Sequence, residues 1–264
     1  MISTIKELFF FRGFIFGSVK REFQARYANS LLGTLWTILG PAATIAIYIV
    51  VFSKIMQGRL SGIDDSFAYG IYLCAGILTW GMFSEVITLG LNMFLQHANL
   101  LKKLNFPRLC LPVIVMFGSA VNLFVILSVF VMLLLATGRM PGIVLLGVIP
   151  VIALQLILAI SIGLLFGVVN VFFRDVTHFS AIILQLWFWM TPIVYPLNIL
   201  PEYAQAIVML NPMTPIVIAY QNIFVYGSWP VWGTLVQPTI VTLSLIVIAT
   251  LIYRKHADEM VDEI

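Results

Sequence analysis

VKREFQARYANSLLGTLWTILGPA, residues 19–42, joins a basic polar run to a long apolar segment. Lys20, Arg21 and Arg26 lie in its first third, and no formal charge occurs between Arg26 and Lys54. A membrane-spanning helix needs about 20 mostly apolar residues. The pattern therefore predicts a helix that enters a membrane from a basic flank.

The rest of the chain repeats this spacing of charges. Hydrophobic residues make up 61% of the 264 residues and charged residues 9%, against about 25% charged in a typical soluble domain. Further charge-free intervals run from Asp65 to Glu85, Arg108 to Arg139, Arg139 to Arg174, Asp175 to Glu202 and Glu202 to Arg254. The composition indicates a polytopic membrane protein and excludes a soluble domain.

These intervals predict an all-α integral membrane protein with six transmembrane helices. We place the spans at 31–55, 67–90, 111–137, 142–170, 178–199 and 232–253. With six spans, both termini share one side with most of the Lys and Arg residues, including Lys102, Lys103, Arg174 and Arg254. Because cytoplasmic loops carry the Lys/Arg excess, we expect both termini in the cytoplasm.

Two segments outside the spans have their own patterns. Residues 1–30 favour an amphipathic cytoplasmic interface helix, with Phe9, Ile15, Phe16 and Val19 on one face. The alternative for residues 1–30 is a helix that serves only as a topogenic anchor. We expect residues 31–264 to form the six-span domain. Between spans five and six, prolines interrupt residues 200–226, which predicts short re-entrant helices from the outer face; an ordinary extracellular loop is the alternative.

The sequence lacks the motifs of an energised or catalytic protein. It contains no Gly-Lys dipeptide, so a phosphate-binding GxxxxGK loop is excluded, and its His and Cys residues lack metal-ligand spacing. We expect no catalytic residue and no metal site. Glu85 alone lies well inside an apolar segment, where a structural or pathway-lining role and a proton relay both stay open. Energy for any transport must come from another subunit.

Aromatic residues are the remaining candidates for contact with a substrate, because aromatic rings stack on the apolar faces of sugars. The candidates are Tyr48, Tyr72, Trp80, Phe83, Trp187, Trp189 and Tyr195. Packing or lipid-facing roles are the alternative for all seven. The loop HANLLKKLNFPRLCLP, residues 97–112, is short, basic and amphipathic, and predicts a contact with a soluble partner.

Four motifs carry a resemblance to a known family. They are ARYANSLLGTLWTILGPA (25–42), FFRD (172–175), TPIVYP (191–196) and NPMTP (211–215). With the basic turn after span two, they resemble type-2 permeases of ABC transporters, above all the branch that exports O-antigen, capsular polysaccharide and teichoic acid. The similarity runs over nearly the whole chain.

The resemblance implies a subunit of a bacterial inner-membrane exporter. Two copies of such a permease pair with two ABC ATPase subunits, and the ATPase subunits bind the ATP. The resemblance therefore implies no cofactor bound by this chain itself. It also implies no nucleic-acid partner. The interface to the ATPase would fall on Gln96, His97, Leu101, Lys102, Lys103 and Phe106, and less firmly on residues 21–27. Spans one, two and five would line the channel, and residues 200–226 would form periplasmic gate helices.

The resemblance also implies a substrate, a polysaccharide linked to polyprenyl pyrophosphate. Lys20, Arg21 and Arg26 place cations where that anionic pyrophosphate could dock. A type-2 permease for a small hydrophobic compound is the nearest alternative. A membrane-embedded transferase and a purely structural subunit are alternatives of other classes, and a transferase would need clustered acidic or histidine residues that the sequence does not provide.

Overall fold

The computed structural model describes residues 9–25, 32–52, 66–103, 109–257 and 259–263, and all regular structure within them is helical. Arg26, Phe106 and the ends of the first predicted span lie outside these residues. The helices are α1 (Arg12–Ala25), α2 (Trp36–Val50), α3 (Ser66–Gln96), α4 (Ala98–Lys103), α5 (Cys110–Ala136), α6 (Val148–Phe172), α7 (Val176–Trp189), α8 (Glu202–Leu210), α9 (Met213–Phe224), α10 (Val236–His256) and α11 (Glu259–Glu263).

Four segments of the described chain are long and apolar enough to cross a membrane. They are Phe67–Gln96, Cys110–Ala136, Gly142–Phe172 and Trp232–His256, where the last two begin with 3₁₀ turns that lead into α6 and α10. A fifth exists if α8 and α9, which meet at 101°, count as one broken span. Predicted spans two, three, four and six therefore have matching helices, and the six-span count stays a prediction.

The first and fifth predicted spans correspond to shorter helices. The 15 residues of α2 and the 14 residues of α7 extend for about 21–23 Å at 1.5 Å per residue, against a hydrocarbon core of about 30 Å. The expected fifth span, 178–199, is wrong at its end: α7 stops at Trp189, and residues 190–196 form a turn. Pro192 and Pro196 lack the N–H that would continue the helix.

The proline-rich segment after this turn forms two short helices, as its sequence indicates. Pro201 precedes α8, and Pro212 precedes α9. Proline fits the first turn of a helix because the N–H it lacks would have no partner there. The prolines therefore interrupt the helix and produce the sharp bend between α8 and α9. The entry of these two helices into the membrane from the outer face stays a prediction.

The backbones of α3 and α6 approach each other closely where the two helices cross. Three glycines form this crossing: a Cβ on Gly90 would lie 2.8 Å from the Gly163 Cα, and one on Gly167 would lie 2.6 Å from the Gly90 carbonyl oxygen. Gly163 and Gly167 have the GxxxG spacing that lets helix backbones approach each other in membranes. Any side chain at these positions would push the helices apart.

Polar bonds between the same two helices lie on both sides of the glycine contact. The Gln155 amide donates to the Thr79 carbonyl at 2.7 Å, and the Asn170 amide donates to the Leu91 carbonyl at 3.1 Å. Gln155 and Asn170 are fully buried. Buried amides of this kind require partners, so the two bonds fix the register of α6 along α3.

The apolar face predicted for the N-terminal helix is only partly buried. In α1, Ile15 is buried in the main core and Val19 packs against that core, whereas Phe9, just before α1, and Phe16 are exposed. The Phe16 ring lies 6.0 Å from that of Phe117 on α5. Residues 12–25 thus pack against the bundle, and the domain boundary at residue 30 stays a prediction.

Basic residues collect at one end of the bundle. Lys102, Arg174, Arg254 and Lys255 lie where α3, α6 and α10 end, and the Phe94–Tyr253 and Phe172–His256 ring contacts bring these ends together. Arg139 lies at the opposite end, 5.4 Å from the centre of the Phe67 ring. This asymmetry agrees with the charge rule, although the side on which the termini lie stays a prediction.

The glycine crossing generates a stability prediction. We expect Gly90→Ala to lower stability by about 1–3 kcal/mol, the usual cost of overpacking, because its Cβ meets backbone atoms of α6. The matched control is Gly81→Ala on the same helix, where a Cβ meets nothing within 4 Å. Thermal unfolding of the purified chain in detergent measures both, and equal midpoints would contradict a tight crossing.

Candidate functional site

An aromatic cluster joins α3 to α7. Trp187 meets Trp80 at 6.2 Å and Phe83 at 5.2 Å between ring centres, both edge to face, and Phe188 lies 5.8 Å from Trp80. Phe83 is 0% exposed and Trp80 7%. These rings therefore work as packing contacts in this conformation, which holds the short helix α7 against the central helix.

Asn211 connects the end of α7 to the bend between α8 and α9. Its Oδ1 accepts hydrogen bonds from the Trp187 indole N–H at 2.7 Å and the Met213 backbone N–H at 2.9 Å. Its Nδ2 donates to the Thr191 hydroxyl at 2.9 Å. One amide thus bonds three segments, and a residue without both a donor and an acceptor could not replace it.

Three side chains hold the turn after α7 against the bundle. The Tyr69 hydroxyl donates to the Val194 carbonyl at 2.8 Å, and the Tyr72 hydroxyl lies 3.1 Å from the Pro192 carbonyl and from the Tyr195 carbonyl. The Gln221 amide of α9 donates to the same Pro192 carbonyl at 3.1 Å. The TPIVYP motif is therefore a docked turn, whose backbone acceptors are bonded by α3 and α9.

A polar stripe follows the C-terminal half of α3. It consists of residues spaced by three or four along one side of the helix: Gly81, Ser84, Glu85, Thr88, Asn92 and Gln96. Gly81, Thr88 and Gln96 are exposed, and the other three are half-buried. By contrast, the exposed side chains of the neighbouring helices include Phe117 and Phe124 on α5 and Ile182 and Leu186 on α7.

Hydrogen bonds link successive turns of the polar stripe. The Ser84 hydroxyl donates to the Gly81 carbonyl at 3.0 Å, the Thr88 hydroxyl to the Ser84 carbonyl at 2.8 Å, and the Asn92 amide to the Thr88 carbonyl at 2.9 Å. Glu85 accepts from the Asn122 amide of α5 at 2.8 Å. Each hydroxyl oxygen still has acceptor capacity for an outside donor, so the stripe offers water or a substrate hydrogen-bonding groups.

The seven predicted substrate aromatics do not share one surface. Tyr72, Trp80 and Phe83 are buried and offer a substrate almost no surface in this conformation. Trp189 is 59% exposed, Tyr48, Trp187 and Tyr195 are half-buried, and the Tyr195 hydroxyl donates to the Trp189 carbonyl at 3.0 Å. Contact with a substrate stays a prediction for each of them, and Trp189 has the largest accessible ring.

The predicted pyrophosphate-docking residues lie at the end of α1. Lys20 and Arg21 are exposed, and the Arg21 guanidinium donates a hydrogen bond to the Ser18 hydroxyl at 2.9 Å. A guanidinium has five N–H donors, so within the described residues Arg21 keeps donors that can bind an anion. Arg26, the third predicted residue, lies outside the described residues.

The predicted ATPase contact lies on α4 and its junction with α3. Gln96 and Lys102 are exposed, Leu101 packs against the core, and the His97 Nδ1 lies 2.9 Å from the Met93 carbonyl. Lys103 is the last residue of α4, and Phe106 lies outside the described residues. Only His97 separates the two helices, so α4 is joined almost directly to the end of α3.

The polar residues that organise the site have weak signals in the sequence. Asn211 is the first residue of NPMTP, but its three bonds depend on the fold of α7 and α9. The polar stripe could have been found from its spacing, because small and polar residues recur every three or four positions from Gly81 to Gln96. Gln221 has no such signal, since its partner lies 29 residues away in a turn.

The chain is similar in sequence to several transport proteins. The model of the ABC-2 type transporter family matches residues 14–225. The O-antigen export system permease protein RfbA of Myxococcus xanthus is 31% identical over 268 residues, covering 100% of both chains. A permease of the same name from Klebsiella pneumoniae is 28% identical over 79% of this chain and 78% of its own. The polysialic acid transport protein KpsM of Escherichia coli is 24% identical over 91% and 92%.

The docked turn generates a prediction about local stability. Removal of both hydroxyls in Tyr69→Phe/Tyr72→Phe leaves the carbonyls of residues 192, 194 and 195 with fewer donors, each loss costing about 0.5–1.5 kcal/mol. We expect faster amide hydrogen exchange in residues 190–200. Tyr203→Phe is the control, because Tyr203 is 74% exposed on α8. Unchanged exchange in the double variant would show that the hydroxyls do not hold the turn.

Proposed function

The chain belongs to the ABC-2 type transporter family, and we propose that it is the membrane subunit of an ATP-driven exporter that moves a polysaccharide out of the cytoplasm. The full-length similarity to an O-antigen export permease supports the class of substrate. Two copies of the chain, two ATPase subunits and a polyprenyl-pyrophosphate carrier for the glycan belong to the same proposal. The membrane is the bacterial inner membrane, with both termini in the cytoplasm.

The polar stripe on α3 is the observation that carries this proposal. A helix that crosses a membrane places polar groups toward protein or water, because lipid cannot hydrogen-bond them. Thr88 and Gly81 are exposed, and the described residues of the same chain do not cover them. We therefore assign the stripe to a hydrated pathway, where it presents hydroxyl and amide groups to the hydroxyl groups of a glycan.

The chemistry of the stripe suits a moving polymer. Its groups are small and repeat at each helical turn, so a sugar that leaves one set of partners meets a similar set at the next. A hydrogen bond between the glycan and the stripe replaces bonds that both partners made with water, so its net contribution is only about 1 kcal/mol. No single bond would therefore hold the polymer in place. A small hydrophobic compound gains nothing from such a surface, which favours the glycan over that alternative.

The end of α1 and the two ends of α3 supply the remaining steps of the proposed cycle. Lys20 and Arg21, exposed on α1, dock the anionic pyrophosphate by charge-assisted hydrogen bonds. ATP binding by the partner subunits displaces α4, and the single-residue junction at His97 passes that displacement to α3. Because Tyr69 and Tyr72 bond the turn after α7, the same helix reaches the opposite end of the bundle.

Cysteine labelling tests the hydrated pathway. The natural residues Cys74 and Cys110 are both 0% exposed, so the parent chain has a low background. We expect a charged, membrane-impermeant thiol reagent to modify Thr88→Cys at least about tenfold faster than Phe124→Cys in open membrane vesicles, since a thiolate forms in water and not in lipid. Phe124 is 74% exposed on α5. Equal modification rates would contradict a hydrated pathway along the stripe and would leave the family assignment unaffected.

Depletion of the chain in its host tests the substrate. We expect glycan to accumulate on its polyprenyl carrier at the cytoplasmic face while surface polysaccharide falls. Extraction of lipid-linked glycan, measured together with surface polysaccharide, separates a block in export from a block in synthesis. An unchanged glycan distribution would contradict polysaccharide export and would favour the permease for a small hydrophobic compound.

A further inference from the structure

An open cavity of about 230 Å³ lies near the N-terminal end of α3, at the opposite end of that helix from Gln96. Three segments line it: Tyr72 of α3, residues 196–198 where the docked turn ends, and a stretch from Ile218 of α9 to Tyr226, which lies two positions past the end of that helix. Tyr72 and Gln221 are buried, whereas Asn198 and Tyr226 are exposed. The cavity therefore opens from the bundle toward the surface.

The polar groups of this cavity are neutral and available. No hydrogen bond within the described residues engages the side chains of Asn198, Asn222 or Tyr226; Ser228 bonds only the backbone carbonyl of Asn222. Two amides and a phenol supply both donors and acceptors. Pro196, Leu197 and Ile218 add an apolar wall, and no charged side chain of the described residues lines the cavity.

Size and chemistry together define the ligand. The volume is below the roughly 300–1,000 Å³ of a site for a drug-sized molecule, and it suits one sugar ring. Amides pair with sugar hydroxyls, and the Tyr226 ring, 50% exposed, offers a face for the apolar side of a pyranose. An ionic ligand would find no opposite charge. We infer that this cavity is an exit subsite that binds one neutral sugar unit of the exported polymer, an inference that rests on the proposed function.

The base of the cavity connects it to the docked turn. Tyr72 and Gln221, which line the cavity, both bond the Pro192 carbonyl. Any movement of the turn relative to α3 or α9 therefore changes the shape of the subsite. A sugar held here would stabilise the conformation in which the turn is docked, and it would oppose backward movement of the polymer.

A neighbouring cavity determines which variant is decisive. Tyr226 also borders a second cavity, of about 300 Å³, whose lining includes Arg139. A Tyr226 variant alters both cavities, whereas Asn222 lines only the first of them. Asn222→Leu therefore isolates the proposed subsite, and Tyr226→Ala tests the stacking face in addition.

Binding of a lipid-free glycan is the direct test. The probe is a set of short oligosaccharides released by mild acid from the surface polysaccharide of the host, titrated against the full chain in nanodiscs by saturation-transfer NMR. We expect Asn222→Leu and Tyr226→Ala each to weaken binding by about fivefold or more, the loss that follows when hydrogen bonds or ring contacts are removed. Tyr203→Ala, an exposed aromatic on α8 outside the cavity, should bind as the parent does.

The outcomes separate this inference from the proposed function. Equal binding by the parent and Asn222→Leu, with unchanged thermal unfolding, would overturn the subsite, as would a parent that exports glycan in cells and binds none of the oligosaccharides. The depletion experiment is independent of the cavity. If Asn222→Leu exports glycan normally and binds the oligosaccharides as the parent does, the subsite alone is rejected. If depletion leaves the glycan distribution unchanged, the exporter itself is rejected.

Discussion

The backbone contact of Gly90 with Gly163 and Gly167 sets the position of the central helix α3 in the bundle. Membranes provide no hydrophobic drive to bring apolar helices together, so close packing and hydrogen bonds have to do so. Here the glycines allow α3 and α6 to touch, and the bonds from Gln155 and Asn170 fix their register. α3 is thereby placed where five other helices can pack around it: α2, α5, α6, α7 and α9.

This central position gives the different faces and ends of α3 different tasks. One side packs on α6, and Trp80 and Phe83 meet the aromatic side chains of α7. The side left open carries the polar stripe, and the two ends carry the tyrosines of the docked turn and the junction with α4. A rigid helix with these attachments can carry motion between the two ends of the bundle, which is what the proposed export cycle requires of it.

The aromatic residues show how far residue type alone can predict a role. Trp80, Phe83, Trp187 and Trp189 have the same chemistry in the sequence, yet the first two are buried and Trp189 is 59% exposed. The two ring roles, packing and stacking on a sugar, use the same apolar faces. The placement of α7 on α3 separates these roles, and it leaves the hydroxyl and amide groups of the polar stripe on the open side of α3.

Charge spacing, proline positions and local motifs act over short distances, so residue order alone predicts the membrane class, four of the spans, the break at residues 200–226 and the family. Residue order could not determine the use of Tyr69, Tyr72, Asn211 and Gln221, since the bonds of Tyr72 and Gln221 to Pro192 join residues 120 and 29 positions apart. It also did not distinguish the glycines at a helix crossing from those in open space. Those features depend on which helices meet, and helix contacts between distant residues exist only in the folded bundle.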